Sequence, residues 1–293
     1  MKLGLIGLGR MGANMARRLR TKGVEVVAYN RDPEITRALA RESGVVAAES
    51  LSQLVAALTP PRAVWLMLPA GAVTEAHIET VTSLLAADDI LVDGANSYYK
   101  DSMRRAAGLA SKRIHYVDAG VSGGVWGREN GYALMVGGPK AAVRQLEPVL
   151  KALAPAPDKG WLHCGPAGAG HFVKMIHNGI EYGMMQAYAE GFALIKARAD
   201  FDIDLAAVAE MWRHGSVVRS WLLDLTAEFL AKDQSLDAIE PYVADSGEGR
   251  WTAIEAVEQG VPAPVTSLAL MMRFASQGKS DYGDRLLAIM RKG

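Results

Sequence analysis

Residues 168–182 read Gly-Ala-Gly-His-Phe-Val-Lys-Met-Ile-His-Asn-Gly-Ile-Glu-Tyr. On a helix turning about 100° per residue, Lys174, His177, Asn178 and Glu181 fall at about 0°, −60°, +40° and −20°. An amine, an imidazole, an amide and a carboxylate therefore share one arc. The amine and the carboxylate, two turns apart, can act as base and acid on a small molecule lying along the helix. A solvated stripe is the commoner use of such residues. Here the neighbours Phe172, Val173, Met175, Ile176 and Ile180 are expected to leave little surface for water, and buried charge is costly unless paired or functional.

The elements that must carry this helix follow from hydrophobic rhythm. Short apolar runs at 3–7, 24–29, 63–68, 90–93, 115–118, 132–136 and 161–164 read as strands, most of them separated by amphipathic stretches. Pro33, Pro60-Pro61 and Pro69 mark ends. This is the pattern of a mostly parallel, doubly wound α/β sheet of Rossmann type. From residue 168 helical periodicity runs nearly to the end, interrupted at 201–204, 244–249 and 260–264. The expectation is a nucleotide-binding domain over 1–167 and an all-α domain over 168–293 for substrate binding and oligomerisation. The apolar stretch 182–197 contains Gln186, Glu190 and Lys196 and reads as a buried core helix, not a membrane span.

Gly7-Leu8-Gly9-Arg10-Met11-Gly12 closes the first strand and opens a helix. In that setting the first glycine permits the tight turn and the second lets a pyrophosphate approach the backbone. The third allows the helix to pack closely on the strand. The second strand ends Tyr29-Asn30-Arg31-Asp32. Asn30 removes the acid that would repel a 2′-phosphate and Arg31 can pair with one, whereas Asp32 places a carboxylate nearby. The motif therefore reads as NAD(P)⁺ without choosing between the two forms. Three further loops fall at strand ends, where such folds gather ligands: Leu68-Pro69-Ala70-Gly71 beside the cofactor, Asn96-Ser97, and Val121-Ser122-Gly123-Gly124. Asn96 can hydrogen-bond in both directions. Ser122, with two glycines after it, can offer a hydroxyl and backbone N–H groups to a carboxylate.

Lys plus Arg and Asp plus Glu both number 32, so the formal net charge is zero. No global field exists to gather nucleic acid or an anionic membrane. The single cysteine, Cys164, excludes an internal disulfide and any cysteine-paired metal site, and fits a reducing, cytoplasmic setting. No secretory signal pattern follows Met1-Lys2.

Asp118-Ala-Gly-Val-Ser-Gly-Gly-Val-Trp-Gly, Gly131-Tyr-Ala-Leu-Met-Val-Gly-Gly, the helix from Gly168, Ser246-Gly-Glu-Gly-Arg-Trp-Thr and Pro262-Ala-Pro-Val together resemble the 6-phosphogluconate dehydrogenases. The short-chain bacterial, decarboxylating members are the nearest in pattern. The wider β-hydroxyacid dehydrogenases share the glycine fingerprint, the Ser-Gly-Gly loop and the lysine. The resemblance implies that Lys174, neutral when substrate binds, takes the C3 hydroxyl proton, and that Glu181 protonates C1 of the enediol left when CO₂ departs, the carbon that was C2 of the substrate. It implies that His177, Asn178 and Asn96 orient the sugar hydroxyls, and that Ser122, Gly123 and Gly124 hold the carboxylate. Tyr182 and Arg273 would contact the phosphate, and Arg291 would reach a partner subunit's site in a homodimer or homotetramer. Longer members place Lys and Thr where this chain has Ser246 and Glu248; Arg250 is the residue able to compensate. Two other readings remain open at this point: a dehydrogenase of a smaller, unphosphorylated 3-hydroxy acid, and a non-catalytic NAD(P)-binding sensor.

Overall fold

The computed structural model describes residues 1–292. Two compact units divide it, Met1–Met175 and a second beginning at Ile176.

The first unit runs β1 (Lys2–Ile6), α1 (Arg10–Thr21), β2 (Glu25–Tyr29), α2 (Pro33–Ser43), β3 (Val46–Ala47), α3 (Leu51–Ala56), β4 (Ala63–Leu66), α4 (Ala72–Leu84), β5 (Ile90–Asp93), α5 (Tyr99–Ala110), β6 (His115–Ser122), α6 (Gly127–Asn130), β7 (Ala133–Gly137), α7 (Lys140–Leu153), β8 (Trp161–Gly165) and the start of α8 (Ala169–Ala197). The sheet order is β3-β2-β1-β4-β5-β6-β7-β8. All neighbours are parallel except β6 with β7. The doubly wound expectation is met, and the order turns back at β1 and β4, the crevice that such sheets use for ligands.

The central strands are apolar throughout because helices cover both faces. Period-two alternation sorts their side chains: Leu3, Leu5, Trp65 and Val92 enter one core layer, while Ile6, Val64, Leu66 and Leu91 enter the other. Local chemistry sets the helix ends. Asp32 caps α2 by accepting from the Glu34 N–H, Pro33 occupies its first turn, and Gly44 closes it at φ 70°. Under β5, the buried Asp93 carboxylate accepts from Arg105 at 2.9 Å, Tyr116 at 2.7 Å and Ser97 at 2.9 Å. Arg105 also reaches Glu75 at 2.7 Å. The buried ions are thus fully partnered, the condition under which such groups are tolerated.

Two departures from the sequence pattern concern this sheet. Strand β6 continues four residues beyond the expected end at Asp118, because Ala119–Ser122 pair antiparallel with Ala133–Val136. The short β3 was not expected; two residues carry no period. The compact unit also extends past residue 167, since the first turns of α8 lie on its sheet, as described below.

The second unit holds the remainder of α8, then α9 (Leu205–Trp212), α10 (Trp221–Leu230), α11 (Glu248–Gln259), α12 (Pro264–Ser276) and α13 (Asp281–Met290). Asp204 and Ser220 cap α9 and α10 through their side chains. The irregular segment before α11 is longer than expected, spanning 231–247. One core gathers Phe192, Leu205, Ala209, Leu223, Ala227 and Leu230; a smaller one gathers Tyr182, Ala269 and Leu270. The stretch 182–197 is not the buried core helix expected. Met184, Met185 and Leu194 are exposed, as are Val173 and Ile180 one turn or more before them. Helix α13 buries none of its residues. Among the described residues no helix is long and apolar enough to cross a membrane, and no cluster of His, Cys, Asp and Glu suits a metal ion.

Candidate active site

The three fingerprint glycines occupy three different environments. Gly7 has φ +94°, and a Cβ there would lie 2.3 Å from the Met67 carbonyl oxygen. A Cβ on Gly12 would lie 2.0 Å from the Gly7 carbonyl oxygen, so helix α1 packs directly on the turn. Around Gly9 there is no atom within 4 Å of the added carbon. The first and third glycines are required by the fold, and the second borders open space at the N-terminus of a twelve-residue helix. That division fits a pyrophosphate approaching the backbone at Gly9. Arg10 is exposed and Leu8 buried, with Met11 against the core.

At the end of β2, Asn30 turns inward: its Oδ1 accepts from the Leu8 N–H at 3.1 Å and braces the glycine loop. Asp32 is engaged as the α2 cap. Arg31 is exposed. The Leu68–Gly71 loop is held by the Thr74 hydroxyl, which donates to the Pro69 carbonyl at 2.8 Å. Asn96, at φ 51°, uses both ends of its amide on one residue. Its Oδ1 accepts from the Val121 N–H at 2.9 Å and its Nδ2 donates to the Val121 carbonyl at 3.2 Å. It therefore fixes the strand end that precedes Ser122, a role the sequence reading did not assign.

The face of β6 then organises the helix. Asp118, Gly120 and Ser122 alternate onto one side of the strand. Asp118 is fully buried, and its two oxygens accept from the N–H groups of Gly168 at 2.7 Å and His171 at 2.8 Å. These are orphan donors at the N-terminus of α8, where a carboxylate also meets the positive end of the helix dipole. Gly120 lets the helix close: a Cβ there would sit 2.3 Å from Lys174 Cβ. Gly170 is equally tight, with its Cβ position 2.4 Å from the Met135 carbonyl oxygen and 2.6 Å from the Gly137 nitrogen. His171 Nδ1 and the Ser102 hydroxyl, 2.7 Å apart, add a tie to α5. Lys174 is left only 5% exposed. Ser122 ends the strand, and Gly123 and Gly124, at φ 135° and 51°, turn the chain away.

Further along α8, His177 Nδ1 lies 3.0 Å from Asn178 Oδ1 and 3.8 Å from a Glu181 oxygen. All three are partly exposed. One continuous helix thus carries the four polar residues. The expectation of a dry surround is met at Lys174 and Met175 but not at Val173 and Ile180.

In the second unit, Tyr182 and Arg273 do come together. The guanidinium lies 3.5 Å over the Tyr182 ring. The phenol oxygen is 3.1 Å from the Ser246 hydroxyl and accepts from its N–H at 3.3 Å. Arg273 donates to the Ala244 carbonyl at 2.7 Å. Arg250 is bonded to Asp245. Burial alone would raise the Asp245 carboxyl, but that hydrogen bond, the Gly247 N–H and the charges of Arg250 and Arg273 bring it below its ordinary value. Glu248 is buried nearby, its Oε2 without a hydrogen-bond partner among the described residues. Arg250 therefore answers Asp245, and the charge of Arg273 also acts on that carboxylate. Arg291 follows α13, exposed, and shares no hydrogen bond or ion pair with this group among the described residues.

Two family models match the chain. Residues 2–165 match the NAD binding domain of 6-phosphogluconate dehydrogenase, and 170–286 match the 6-phosphogluconate dehydrogenase C-terminal domain. The NAD(+)-dependent, decarboxylating 6-phosphogluconate dehydrogenase of Haloferax volcanii is 43% identical over 100% of this chain and 96% of its own. The NADP(+)-dependent, decarboxylating enzyme of Bacillus subtilis is 38% identical over 96% of this chain and 62% of its own. Among solved structures, Plasmodium falciparum 6-phosphogluconate dehydrogenase, studied alone, with NADP+ and with 6-phosphogluconate, superposes with a TM-score of 0.89. That match has 31% identity and covers 99% of this chain and 65% of the other.

Proposed function

Because this chain belongs to the family of NAD(P)-dependent, decarboxylating 6-phosphogluconate dehydrogenases, we propose that it oxidatively decarboxylates 6-phospho-D-gluconate to D-ribulose 5-phosphate and CO₂ in the cytoplasmic pentose phosphate pathway. The observation that carries this reading is a buried lysine and a carboxylate two turns apart on α8, the lysine held against a glycine of β6.

The open space at Gly9, between two glycines closed by the fold, fits a bound dinucleotide, with Gly7–Gly12, Asn30–Asp32 and Leu68–Ala70 as its surroundings. When bound, NAD(P)⁺ supplies the hydride acceptor. Lys174 as a neutral amine takes the proton of the C3 hydroxyl. As an ammonium it then polarises the C3 carbonyl of the β-keto acid, and the C1–C2 bond breaks to release CO₂. Glu181 delivers a proton to C1 of the resulting enediol. His177 and Asn178 orient hydroxyls, Asn96 braces the strand end at Val121, and the Ser122 hydroxyl with the Gly123 and Gly124 N–H groups receives the carboxylate. Tyr182 and Arg273 take the phosphate.

A helix as short as α13 with no buried face does not persist alone. The exposed Leu268, Met271 and Met272 of α12 and Leu286, Leu287 and Met290 of α13 support assembly into a homodimer or homotetramer, with Arg291 serving the neighbour's site. Dilution to monomers is then expected to abolish activity, and a fully active monomer refutes the shared site.

The test is turnover of 6-phosphogluconate with NAD⁺ and NADP⁺ in separate reactions while CO₂ is trapped. Equal yields of reduced cofactor and CO₂ support the reading. The engagement of Arg250 with Asp245, which leaves Arg273 as the arginine over Tyr182, favours the second reading, a small unphosphorylated 3-hydroxy acid. Reduced cofactor from such an acid without CO₂ would establish it.

A further inference from the structure

Helix α1 makes contacts that the cofactor fingerprint does not explain. Asn14 and Arg18, one turn apart on its face, both reach into the segment between β6 and β7, the one that begins with Gly123 and Gly124. Asn14 Nδ2 donates to the Val125 carbonyl at 3.3 Å. Its orientation is fixed from behind: Asn14 Oδ1 accepts from Arg17 at 3.1 Å, and Arg17 is itself held by a two-pronged pair with Glu42 at 2.8 Å. A guanidinium can only donate, so the amide must present its N–H group to Val125.

Arg18 is 5% exposed and is surrounded by carbonyl oxygens. It donates to Arg128 at 3.2 Å and Glu129 at 3.0 Å within α6, and to Ala152 at 3.1 Å, Leu153 at 3.0 Å and Ala154 at 2.6 Å at the end of α7. These are carbonyls at two helix C-termini, where intrahelical donors run out and the dipoles favour a cation; that of Leu153 also accepts from the Tyr132 N–H at 2.9 Å. Arg18 thus closes both helices at once. The segment has little other freedom. A Cβ on Gly127 would lie 2.0 Å from the Tyr132 ring, and one on Gly131 would lie 2.4 Å from the Pro155 nitrogen.

We infer that Asn14 and Arg18 are positioning residues that couple the two ligands: α1 receives the dinucleotide at its N-terminus and sets the carboxylate-binding loop from its side. The inference rests on the proposed roles of Ser122, Gly123 and Gly124. Ordering α1 with cofactor then orders the loop through Val125, and substrate in the loop favours the helix position that cofactor requires.

Asn14→Ala leaves the fingerprint intact and removes two hydrogen bonds, the one to Val125 and the one from Arg17, which keeps its pair with Glu42. It is expected to raise the KM for 6-phosphogluconate about three- to tenfold, the effect of losing the neutral hydrogen bond to Val125. The NAD(P)⁺ dissociation constant and the melting temperature should stay at their original values. Amide exchange gives a second readout that needs no turnover. Adding NAD⁺ or NADP⁺ to the original protein should slow exchange at the N–H groups of Gly127 and Gly131, which donate to Gly123 and Gly127 at 3.0 Å. In Asn14→Ala that protection should be lost. Arg18→Lys, which keeps the charge but reaches fewer carbonyls, should act in the same direction and more strongly. Unchanged KM with protection retained overturns the inference; so does a fall in melting temperature or cofactor affinity that accounts for the whole effect. If the original protein does not turn over 6-phosphogluconate, the functional reading fails and the exchange experiment alone decides the coupling.

Discussion

Replacing Gly120 by alanine tests whether strand β6 places the lysine. The new methyl carbon would lie 2.3 Å from Lys174 Cβ, 2.9 Å from its Cγ and 3.2 Å from the Gly170 carbonyl oxygen. Non-bonded carbons rest about 3.5–4.0 Å apart, so the contact must open by more than about 1 Å. A change of Lys174 rotamer cannot relieve it, because Cβ is fixed by the backbone. Helix and strand must separate, against the two hydrogen bonds by which Asp118 holds the helix start. The stability cost is that of overpacking, about 1–3 kcal/mol. The catalytic cost is of similar size: misplacing a reacting group by about 1 Å removes on the order of a hundredfold in rate, about 2.7 kcal/mol. Initial rates of cofactor reduction at saturating ligands are therefore expected to show a kcat loss of that order, with cofactor affinity retained because Gly7–Gly12 follows a different strand, β1, and opens α1. Gly108→Ala is the control: it sits exposed within α5 with no atom within 4 Å of the added carbon. It should leave kcat alone and raise stability by roughly 0.5–1 kcal/mol. An unchanged kcat in a folded Gly120→Ala protein would refute the argument that this backbone contact sets the lysine.

Three further outcomes follow from named contacts. Gly9→Ala fits the folded chain, so its melting temperature should hold while titration with NAD⁺ or NADP⁺ shows weakened binding; equal affinity would mean that no phosphate passes Gly9. Lys174→Met should lose on the order of 10²–10⁴ in kcat as a missing general base does, with cofactor binding intact; retained turnover rules the lysine out. Glu75 is held at about 2, against 4.5 ordinarily, by the Arg104 hydrogen bond first and then by Arg105. A depressed carboxyl stabilises the fold fully above pH 4.5 and loses that contribution as pH falls toward 2. Thermal melts across that window should therefore fall less steeply for Glu75→Gln, which should also lose about 1–2 kcal/mol at neutral pH once solvent screening of this partly exposed group is counted.

The sheet was legible because its strands are buried on both faces and each apolar run is bounded by turn residues. What period and composition could not show was tertiary. The 115–118 strand reads as ending at Asp118 because Ala-Gly-Val is a weak strand signal alone; pairing with β7 extends it to Ser122. The spacing of the fingerprint glycines sets out three tasks, and their surroundings differ accordingly: the fold closes on Gly7 and Gly12 and leaves space at Gly9. From sequence Asn96 and Asn30 read as ligand-facing; the structure adds a backbone partner for each, Val121 and Leu8 respectively. An asparagine near a ligand loop carries no mark in sequence to tell a brace from a contact. The helix 182–197 was read as buried from its apolar content, which cannot distinguish a core face from one left exposed on a single chain.

The segment from Asp118 to Gly124 contains three glycines that sequence treats alike, and the structure separates them. Gly123 and Gly124 have positive φ and shape a turn; Gly120 is a packing position, required for its missing Cβ. Because strand side chains alternate, the same face presents a carboxylate to the helix N-terminus, a gap to the lysine stem, and a hydroxyl at the strand end. The segment therefore positions the lysine as well as contributing to the loop. Moving the strand by one residue would lose all three at once, since a slip inverts every side chain. That interdependence explains why Asn96 grips both polar atoms of Val121: fixing this one residue fixes the register on which Asp118, Gly120 and Ser122 depend.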